Sequence, residues 1–246
     1  MKAGLIQIHS IPTEVEKNVE HGIEMFKDAV EKGADLVVFP ELWTCGYYLE
    51  TFDFLAAVKE NDKILEKFQA LAKETHTVTV LPLPQKKGED LYIGLYVIES
   101  DGRILAEYQK SFLWGREQNY FVHGKRAYEP LETSVGKIGT LKCSEIELPD
   151  PPPNLALNGA ASSLVQLPAR ALDDTVFVMG INNIEEGAGG CSKVVSPMGE
   201  VLAQASDSSE EVLVCEIDMD EIARVREKIP YLKEYDKNLA PAPELR

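Results

Sequence analysis

The sequence is short of basic residues. It has 25 lysine and arginine residues against 41 aspartate and glutamate residues, and its formal net charge at pH 7 is −16. Binding to nucleic acid depends on a basic footprint, and adsorption to anionic membranes depends on basic residues near the lipid surface. The charge balance therefore argues against nucleic-acid partners and against a membrane partner.

Long apolar runs are also missing. No stretch of about 18 consecutive apolar residues occurs, so no membrane-spanning helix is expected. Residues 1–9 lack the long apolar segment of a secretory signal peptide and instead predict a first β-strand. We therefore expect a cytoplasmic protein.

The cysteines and histidines are few and scattered. The four cysteines, Cys45, Cys143, Cys191 and Cys215, form no Cys-x-x-Cys pair, so a disulfide framework or zinc site is not expected. The four histidines show no His-x-x-x-His spacing, and the glycines at 187–190 are not followed by the Gly-Lys-Ser/Thr of a phosphate loop. The sequence predicts neither a metal site nor a cofactor.

What the chain does contain is a mixture of helical and strand-like patterns. A capping box at residues 13–16 and an apolar face through Val19, Ile23, Phe26 and Val30 predict a first helix, and Asn61 is expected to cap a second. Further helical patterns cover residues 154–158 and 220–228. Strands are predicted at residues 36–39, 78–81, 91–99, 103–108, 135–142, 175–181, 192–195, 201–203 and 212–217. Ser100–Gly102 is a strong hairpin signal between two of these strands.

The order of these elements predicts the class of fold. Strands interleave with helices in the first half, while hairpins occur in both halves, which favours two mixed sheets flanked by helices over a doubly wound sheet. No linker divides the chain. We expect a single α/β domain covering residues 1–246.

Three chemically reactive residues follow predicted strands. Glu41 ends the run from Asp35, Lys110 ends the run from Arg103, and Cys143 follows the run from Val135. Open α/β folds place their sites at the carboxyl ends of strands. Each residue alone is as well explained as a loop carboxylate, a surface lysine or a packed thiol. Together they suggest a thiolate nucleophile, a general base and a cation for an oxyanion.

The segments around these residues resemble the nitrilase superfamily of carbon–nitrogen hydrolases. The resemblance is carried, in the expected order and over nearly the whole chain, by residues 33–47, 108–124, 169–177 and 190–199 together with the cysteine segment. It implies an α-β-β-α sandwich, commonly paired as a homodimer or a higher homo-oligomer. It also implies a Glu-Lys-Cys triad that acts on a small-molecule amide or nitrile without a cofactor.

The resemblance assigns a role to each candidate site residue. Cys143 would attack the substrate carbon, Glu41 would move protons, and Lys110 with the backbone N–H of Ser144 would hold the oxyanion. Glu117 would orient Lys110 or the substrate, and Tyr47 would bind the substrate. A small amide is the favoured substrate, and a nitrile is the alternative within the enzyme class.

The chain also departs from the family pattern. Ser144 replaces an aromatic residue, Glu147 replaces an arginine, and three consecutive prolines follow at 151–153. Relative to the family pattern, about a dozen residues are absent near 160–170. One interpretation keeps Ser163–Leu167 as a strand and loses a loop and part of a helix, and the other keeps the helix start and loses a strand. We favour the first, because an interior strand supplies ladder hydrogen bonds to its neighbours. These departures motivate a rival hypothesis, a catalytically impaired homologue that serves as a binding or assembly subunit.

Overall fold

The structure is a computed structural model that describes residues 1–47, 54–125, 129–147, 156–158, 163–185 and 188–230. The predicted extended tail after residue 230 lies outside these ranges. So do residues 159–162 of the segment that the sequence predicts to be shortened.

Strands account for much of the described chain. They are β1 (Lys2–Gln7), β2 (Leu36–Val38), β3 (Val78–Lys87), β4 (Asp90–Ile98), β5 (Ile104–Gln109), β6 (Leu131–Thr133), β7 (Gly136–Ile138), β8 (Thr140–Lys142), β9 (Ala156–Asn158), β10 (Val178–Gly180), β11 (Ile184–Glu185), β12 (Ala188–Gly189), β13 (Lys193–Val195), β14 (Val201–Gln204) and β15 (Glu211–Glu216). The helices are α1 (Val15–Glu31), α2 (Phe54–Lys59), α3 (Asn61–Thr75), α4 (Ser163–Asp174) and α5 (Asp220–Lys228).

The largest sheet has six strands in the order β15-β1-β2-β3-β4-β5. Its centre, β1-β2-β3, is parallel, and its flanking pairs are antiparallel. The remaining pairs include an antiparallel sheet β10-β13-β14 and the parallel pair β8-β9. This arrangement confirms the prediction of mixed sheets flanked by helices.

The two faces of the six-stranded sheet are buried against different partners. Side chains alternate between faces along a strand. In β1, Leu5 belongs to the core that includes Val178 of β10 and Val194 of β13. Its neighbour Ile6 belongs to the core that includes Phe26 of α1 and Phe68 of α3. Leu167 and Ala171 of helix α4 also belong to the first core, so helices pack against both cores of the fold.

The helix starts differ from the sequence prediction. The prediction of a capping box at residues 13–16 is wrong, because the N-cap residue of α1 is Glu14 and its side chain makes no cap hydrogen bond. Asn61 is the first residue of α3 rather than its cap, and its side chain donates instead to the carbonyl of Pro84. In both cases a tertiary contact or loop conformation overrides the local signal.

The largest correction concerns residues 143–174. Ser163–Leu167, favoured as a strand, begins helix α4, while Ala156–Asn158, predicted to be helical, forms strand β9 beside β8. Directly after β8, Cys143–Glu147 forms a 3-10 turn. The strand that supports β8 is therefore present, but it comes from an earlier segment than expected.

Strand lengths also depart from the prediction. β3 continues to Lys87 rather than ending at Leu81, through Pro82 and Pro84. β2 pairs only with Val78–Val80, so the later part of β3 has a neighbour on one side and tolerates proline there. The single strand predicted over 135–142 is instead two short strands, β7 and β8.

None of the helices in the described ranges is long and apolar enough to cross a membrane.

We predict that Gly22→Ala destabilises the fold. A methyl group at Gly22 in α1 would lie 2.3 Å from the nearest ring carbon of Trp43. That ring is fully buried and lies 4.6 Å from the ring of Phe39, centre to centre, so it has little room to move. Alanine gains about 1 kcal/mol of helix propensity, whereas overpacking costs about 1–3 kcal/mol. Because the added methyl group would overlap a ring with little room to move, the cost lies toward the upper end of that range, and we expect urea unfolding to report a free energy of unfolding lower by about 1–2 kcal/mol.

The matched control is Gly189→Ala, because an added methyl group there meets no atom within 4 Å. Its free energy of unfolding should change by less than about 0.5 kcal/mol. A Gly22→Ala protein as stable as the wild type would contradict the tight contact between α1 and Trp43.

Candidate active site

The three reactive residues predicted at strand ends do follow strands. Glu41 lies three residues after β2, in a tight turn in which the Cys45 N–H donates to the carbonyl of Leu42 at 3.0 Å. Lys110 directly follows β5, and Cys143 directly follows β8. Glu41 is 7% exposed and Lys110 is 0% exposed, so both charges are removed from water.

Lys110 contacts two carboxylates. Its Nζ donates to Glu41 Oε1 at 3.1 Å and to Glu117 Oε1 at 2.7 Å. A buried ammonium group is costly unless it is paired and hydrogen bonded. The two glutamates, 76 residues apart in the sequence, are therefore fixed relative to each other by one cation.

Glu117 is itself held from two further sides. The Trp114 N–H donates to Oε2 at 2.8 Å, and the Tyr47 hydroxyl donates to Oε1 at 2.7 Å. Glu117 is fully buried in a 3-10 turn over Gly115–Asn119. The structure thus joins four predicted site residues, Tyr47, Glu117, Lys110 and Glu41, in one chain of hydrogen bonds.

The charges in this chain shift each other's ionisation. Burial by itself lowers the pKa of Lys110, but Glu41, the Cys143 thiol and Glu117 outweigh it and raise that pKa, so the ammonium form persists at neutral pH. Burial, followed by the charge of Glu41, raises the pKa of Glu117 despite its contact with Lys110. Burial, followed by the charge of Glu117, raises the pKa of Tyr47, which therefore stays a hydrogen-bond donor.

One oxygen of Glu41 stays open. Within the described part of the chain, Glu41 Oε2 is buried without a hydrogen-bond partner, whereas the Glu41 backbone carbonyl accepts from Asn183 Nδ2 at 2.8 Å. A buried unsatisfied acceptor is uncommon and calls for an explanation. Here the backbone is anchored while one carboxylate oxygen is left able to accept a proton.

Cys143 lies where the backbone turns sharply out of β8. Its φ is 43°, in the left-handed region that non-glycine residues seldom adopt. The residue is partly exposed, and its ionised thiol contributes to raising the pKa of both Lys110 and Tyr47, which indicates that it lies within electrostatic range of the chain of hydrogen bonds described above. A strained backbone of this kind is a feature of functional sites.

Glu145 fastens the cysteine turn to the lysine segment. It is fully buried, and its Oε1 accepts from the Tyr108 hydroxyl and from the Ser111 N–H and hydroxyl, each at 2.6 Å. Its Oε2 accepts from the Lys142 N–H at 2.9 Å. Because Tyr108 and Ser111 lie on either side of Lys110, this one carboxylate sets the spacing between the cysteine and the lysine.

The sequence prediction did not include Glu145, Lys142 or Asn183 among the site residues. Glu145 and Lys142 lie within two residues of Cys143, and this proximity is the signal by which the sequence could have indicated them. No sequence signal pointed to Asn183, whose role depends on the fold. Ser144 lies in the 3-10 turn after Cys143, but the side chains of Ser144 and Glu147 are outside the described part, so the predicted effect of Glu147 stays a prediction.

In the residues that the structure describes, no group of three or more histidine, cysteine, aspartate or glutamate side chains is placed to hold a metal ion.

Comparisons with a family model, with relatives in sequence and with solved structures all indicate the same protein family. The family model described as carbon-nitrogen hydrolase matches residues 2–227. A protein of Pyrococcus abyssi named nitrilase is 30% identical over 238 residues, covering 89% of this chain and 90% of the relative. A 2-oxoglutaramate amidase of Bacillus subtilis is 28% identical over 247 residues, covering 88% and 90%. The solved structure of a carbon-nitrogen hydrolase from Helicobacter pylori superposes with a TM-score of 0.86 at 24% identity, covering 99% of each chain.

We predict that a thiol reagent distinguishes Cys143 from the other cysteines of the folded protein. Cys45 is fully buried, and burial raises its pKa. Cys215 is partly exposed, and burial followed by Glu216 raises its pKa. Cys143 lies beside the Lys110 ammonium group, which favours the reactive thiolate. Iodoacetamide should therefore label Cys143 at least about tenfold faster than Cys215, a ratio that corresponds to one pKa unit.

Labelling is measured by mass spectrometry of the cysteine peptides at short times. The control is the unfolded protein, in which the four thiols should react at similar rates. Equal rates for Cys143 and Cys215 in the folded protein would contradict an activated thiol at this site.

Proposed function

The chain belongs to the carbon–nitrogen hydrolase family, as an amidase-like member of the nitrilase superfamily, and we propose that it hydrolyses a small amide through a thioester on Cys143. The observation that carries the proposal is the buried Lys110 ammonium group, which contacts Glu41 and Glu117 and interacts electrostatically with Cys143. A thiol, a base and a cation are the parts that acyl transfer to cysteine requires.

The first step forms the carbon–sulfur bond. Cys143 gives its proton to Glu41, whose open Oε2 suits that role, and the sulfur attacks the amide carbonyl carbon. The carbonyl oxygen becomes an oxyanion, which Lys110 and the backbone N–H of Ser144 stabilise. Each preorganised donor of this kind contributes about 3 kcal/mol to the transition state.

The second step releases the amine. The tetrahedral intermediate collapses, the carbon–nitrogen bond breaks, and Glu41 returns the proton to the departing nitrogen as general acid. Ammonia or an amine leaves, and the acyl group stays on Cys143 as a thioester. Division of amide cleavage into two acyl transfers replaces one difficult step by two easier ones.

The third step restores the thiol. Glu41 accepts a proton from a water molecule as that water attacks the thioester carbon. The resulting intermediate expels the Cys143 sulfur, which regains a proton, and the carboxylic acid is released. Apart from the substrate and this water molecule, the sequence of steps uses only side chains and backbone of this chain.

In this proposal Glu117 acts on Lys110, and Tyr47 contributes to substrate binding. Glu117 keeps Lys110 charged and pointed toward Glu41, because its Oε1 accepts from both Lys110 and the Tyr47 hydroxyl. The predicted role of Tyr47 in substrate binding is compatible with its half-buried position beside the thiol. Glu117 is therefore proposed as a positioning residue.

A nitrile substrate is the second candidate, and the relative named nitrilase favours its inclusion. The same thiol would add to a nitrile carbon, and hydrolysis would again release ammonia. The impaired-homologue hypothesis is the rival from outside the enzyme class. Homodimer or higher assembly, cytoplasmic location and a single domain over residues 1–246 stay predictions of the sequence.

We predict that the protein releases ammonia from small amides. The screen uses short aliphatic amides, the monoamide of 2-oxoglutarate, because one relative is named for it, and the matching nitriles. Cys143→Ala, which lacks the nucleophile, is the control and should release none. A covalent acyl group found on Cys143 by mass spectrometry would support the thioester. Reactive labelling of Cys143 with no ammonia from any compound would favour the binding-subunit hypothesis.

We also predict that Glu41→Gln lowers the turnover number by about 10²-fold or more, since a general base contributes about 10²–10⁴-fold. Glutamine keeps the shape of the side chain and a hydrogen-bond acceptor for Lys110, so circular dichroism should show the wild-type fold. Glu132→Gln is the matched control, because its carboxylate is 78% exposed in a salt bridge with Lys137 and its loss should leave turnover unchanged. Near-normal turnover in Glu41→Gln would show that another group is the base.

A further inference from the structure

A second lysine is buried next to the proposed nucleophile. Lys142 is the last residue of β8 and directly precedes Cys143, and its side chain is 0% exposed. Lysine is almost never fully buried in proteins unless it is paired. Within the described contacts, the Lys142 ammonium group donates to the carbonyl of Gly94, an uncharged acceptor, rather than forming a salt bridge.

The position of Gly94 places this ammonium group at the level of the triad. Gly94 in β4 pairs with Gln109, the residue before Lys110, and the Lys110 N–H donates to the carbonyl of Ile93 at 2.9 Å. The Lys142 side chain therefore crosses from the strand that carries Cys143 to the strand pair that carries Lys110. Its own backbone N–H is held by Glu145 at 2.9 Å.

The charges around Lys142 explain why a cation would be retained there. The groups that act on it are Glu41, Glu145, Lys110 and Glu117. Three of these are carboxylates, and only Lys110 is a cation. Ionisation of Cys143 adds a fourth anion to the same buried region. Because unbalanced buried charge is unfavourable, a second cation would favour that ionisation.

We propose that Lys142 is a second buried cation of the site, which offsets the surrounding carboxylates and thereby promotes ionisation of the Cys143 thiol. The inference rests on the proposed role of Cys143 as nucleophile. Lys142 acts through charge rather than by contact with the substrate, so it is a positioning residue. Lys110, the other buried cation, also interacts electrostatically with the thiol.

The electrostatic state of Lys142 fits this role near neutral pH. Burial lowers the pKa of Lys142 to about 7, although Glu41 and Glu145 act in the opposite direction. Lys142 is therefore largely charged below about pH 7 and loses its charge as the pH rises above that value. The coupling is reciprocal, since a thiolate at Cys143 would also hold the proton on Lys142.

The test measures the rate of Cys143 alkylation by iodoacetamide against pH, with mass spectrometry of the Cys143 peptide. Lys142→Met removes the charge at similar length and should raise the pH midpoint by about one unit, which makes alkylation about tenfold slower below both midpoints. Lys193→Met is the matched control: Lys193 is also a buried lysine, 1% exposed, but lies on β13 and is not among the groups that act on Lys142. Its midpoint should equal that of the wild type.

Two more variants separate charge from structure. Lys142→Gln keeps a hydrogen-bond donor for Gly94 but no charge, and it should show the same upward shift. Lys142→Arg keeps the charge and should restore a midpoint near the wild-type value. A wild-type midpoint in Lys142→Gln would reveal a purely structural lysine and overturn the inference, while the proposed function would stand if amide turnover persisted. Wild-type Cys143 labelled no faster than Cys215 would overturn both.

The wild-type protein offers a measurement without substitution at Lys142. Carbamidomethylation of Cys143 removes the ionisable thiol, so Lys142 should then lose its proton at lower pH. Nitrogen-15 lysine NMR follows this titration, with the Lys142 signal identified by its absence in Lys142→Arg. An identical titration before and after alkylation would overturn the inference even if none of the neutral variants folded.

Discussion

The site depends on one constraint, the need to compensate the Lys110 ammonium group in an environment that excludes water. Lys110 is 0% exposed, and its partners Glu41 and Glu117 are 7% and 0% exposed. Loss of one partner of such a buried pair costs about 3–5 kcal/mol, because the remaining charge is left uncompensated. The loop after β2 and the 3-10 turn after β5 must therefore adopt conformations that bring both carboxylates to the lysine. Stability and the proposed chemistry place the same demand on these residues.

A second carboxylate network ties the cysteine to that lysine. Glu145 accepts hydrogen bonds from residues on both sides of Lys110 and from the backbone of Lys142, so the turn at Cys143 cannot move independently of β5. This rigidity allows the strained backbone at Cys143, with its φ of 43°, to persist. Such strain costs of order 1–3 kcal/mol and is tolerated only where surrounding contacts fix the conformation. Cys143, the proposed nucleophile, is thus positioned by hydrogen bonds to the buried carboxylate oxygens of Glu145.

The sequence predicts what depends on local periodicity and misses what depends on tertiary contacts. The hairpin at Ser100–Gly102 and helix α5 follow from turn chemistry and apolar spacing, and both are confirmed. Ser163–Leu167 could not be assigned from periodicity, because a short apolar run fits a strand as well as one turn of helix. The convergence of Glu41, Lys110 and Glu117 could be predicted through the resemblance, whereas strand-end spacing alone left it open. Lys142 and Asn183 were not predicted as site residues, because their burial and their hydrogen-bond partners, rather than any sequence pattern, place them in the site.

The departures from the family pattern bear on the choice between enzyme and binding subunit. One interpretation of the shortened segment removes an interior strand, and such a strand supplies ladder hydrogen bonds to its neighbours. In the structure β9 pairs with β8 from Thr140 to Lys142, so the ladder beside the nucleophile is intact. Helix α4 also packs against β10. A methyl group added at Gly180 of β10 would lie 2.4 Å from the nearest side-chain carbon of Leu167 in α4. The departures lie at Ser144 and Glu147 and near residues 160–170, of which residues 159–162 lie outside the described part of the chain. An intact ladder beside Cys143 weakens the argument for lost catalysis, and altered substrate preference stays a prediction of the sequence.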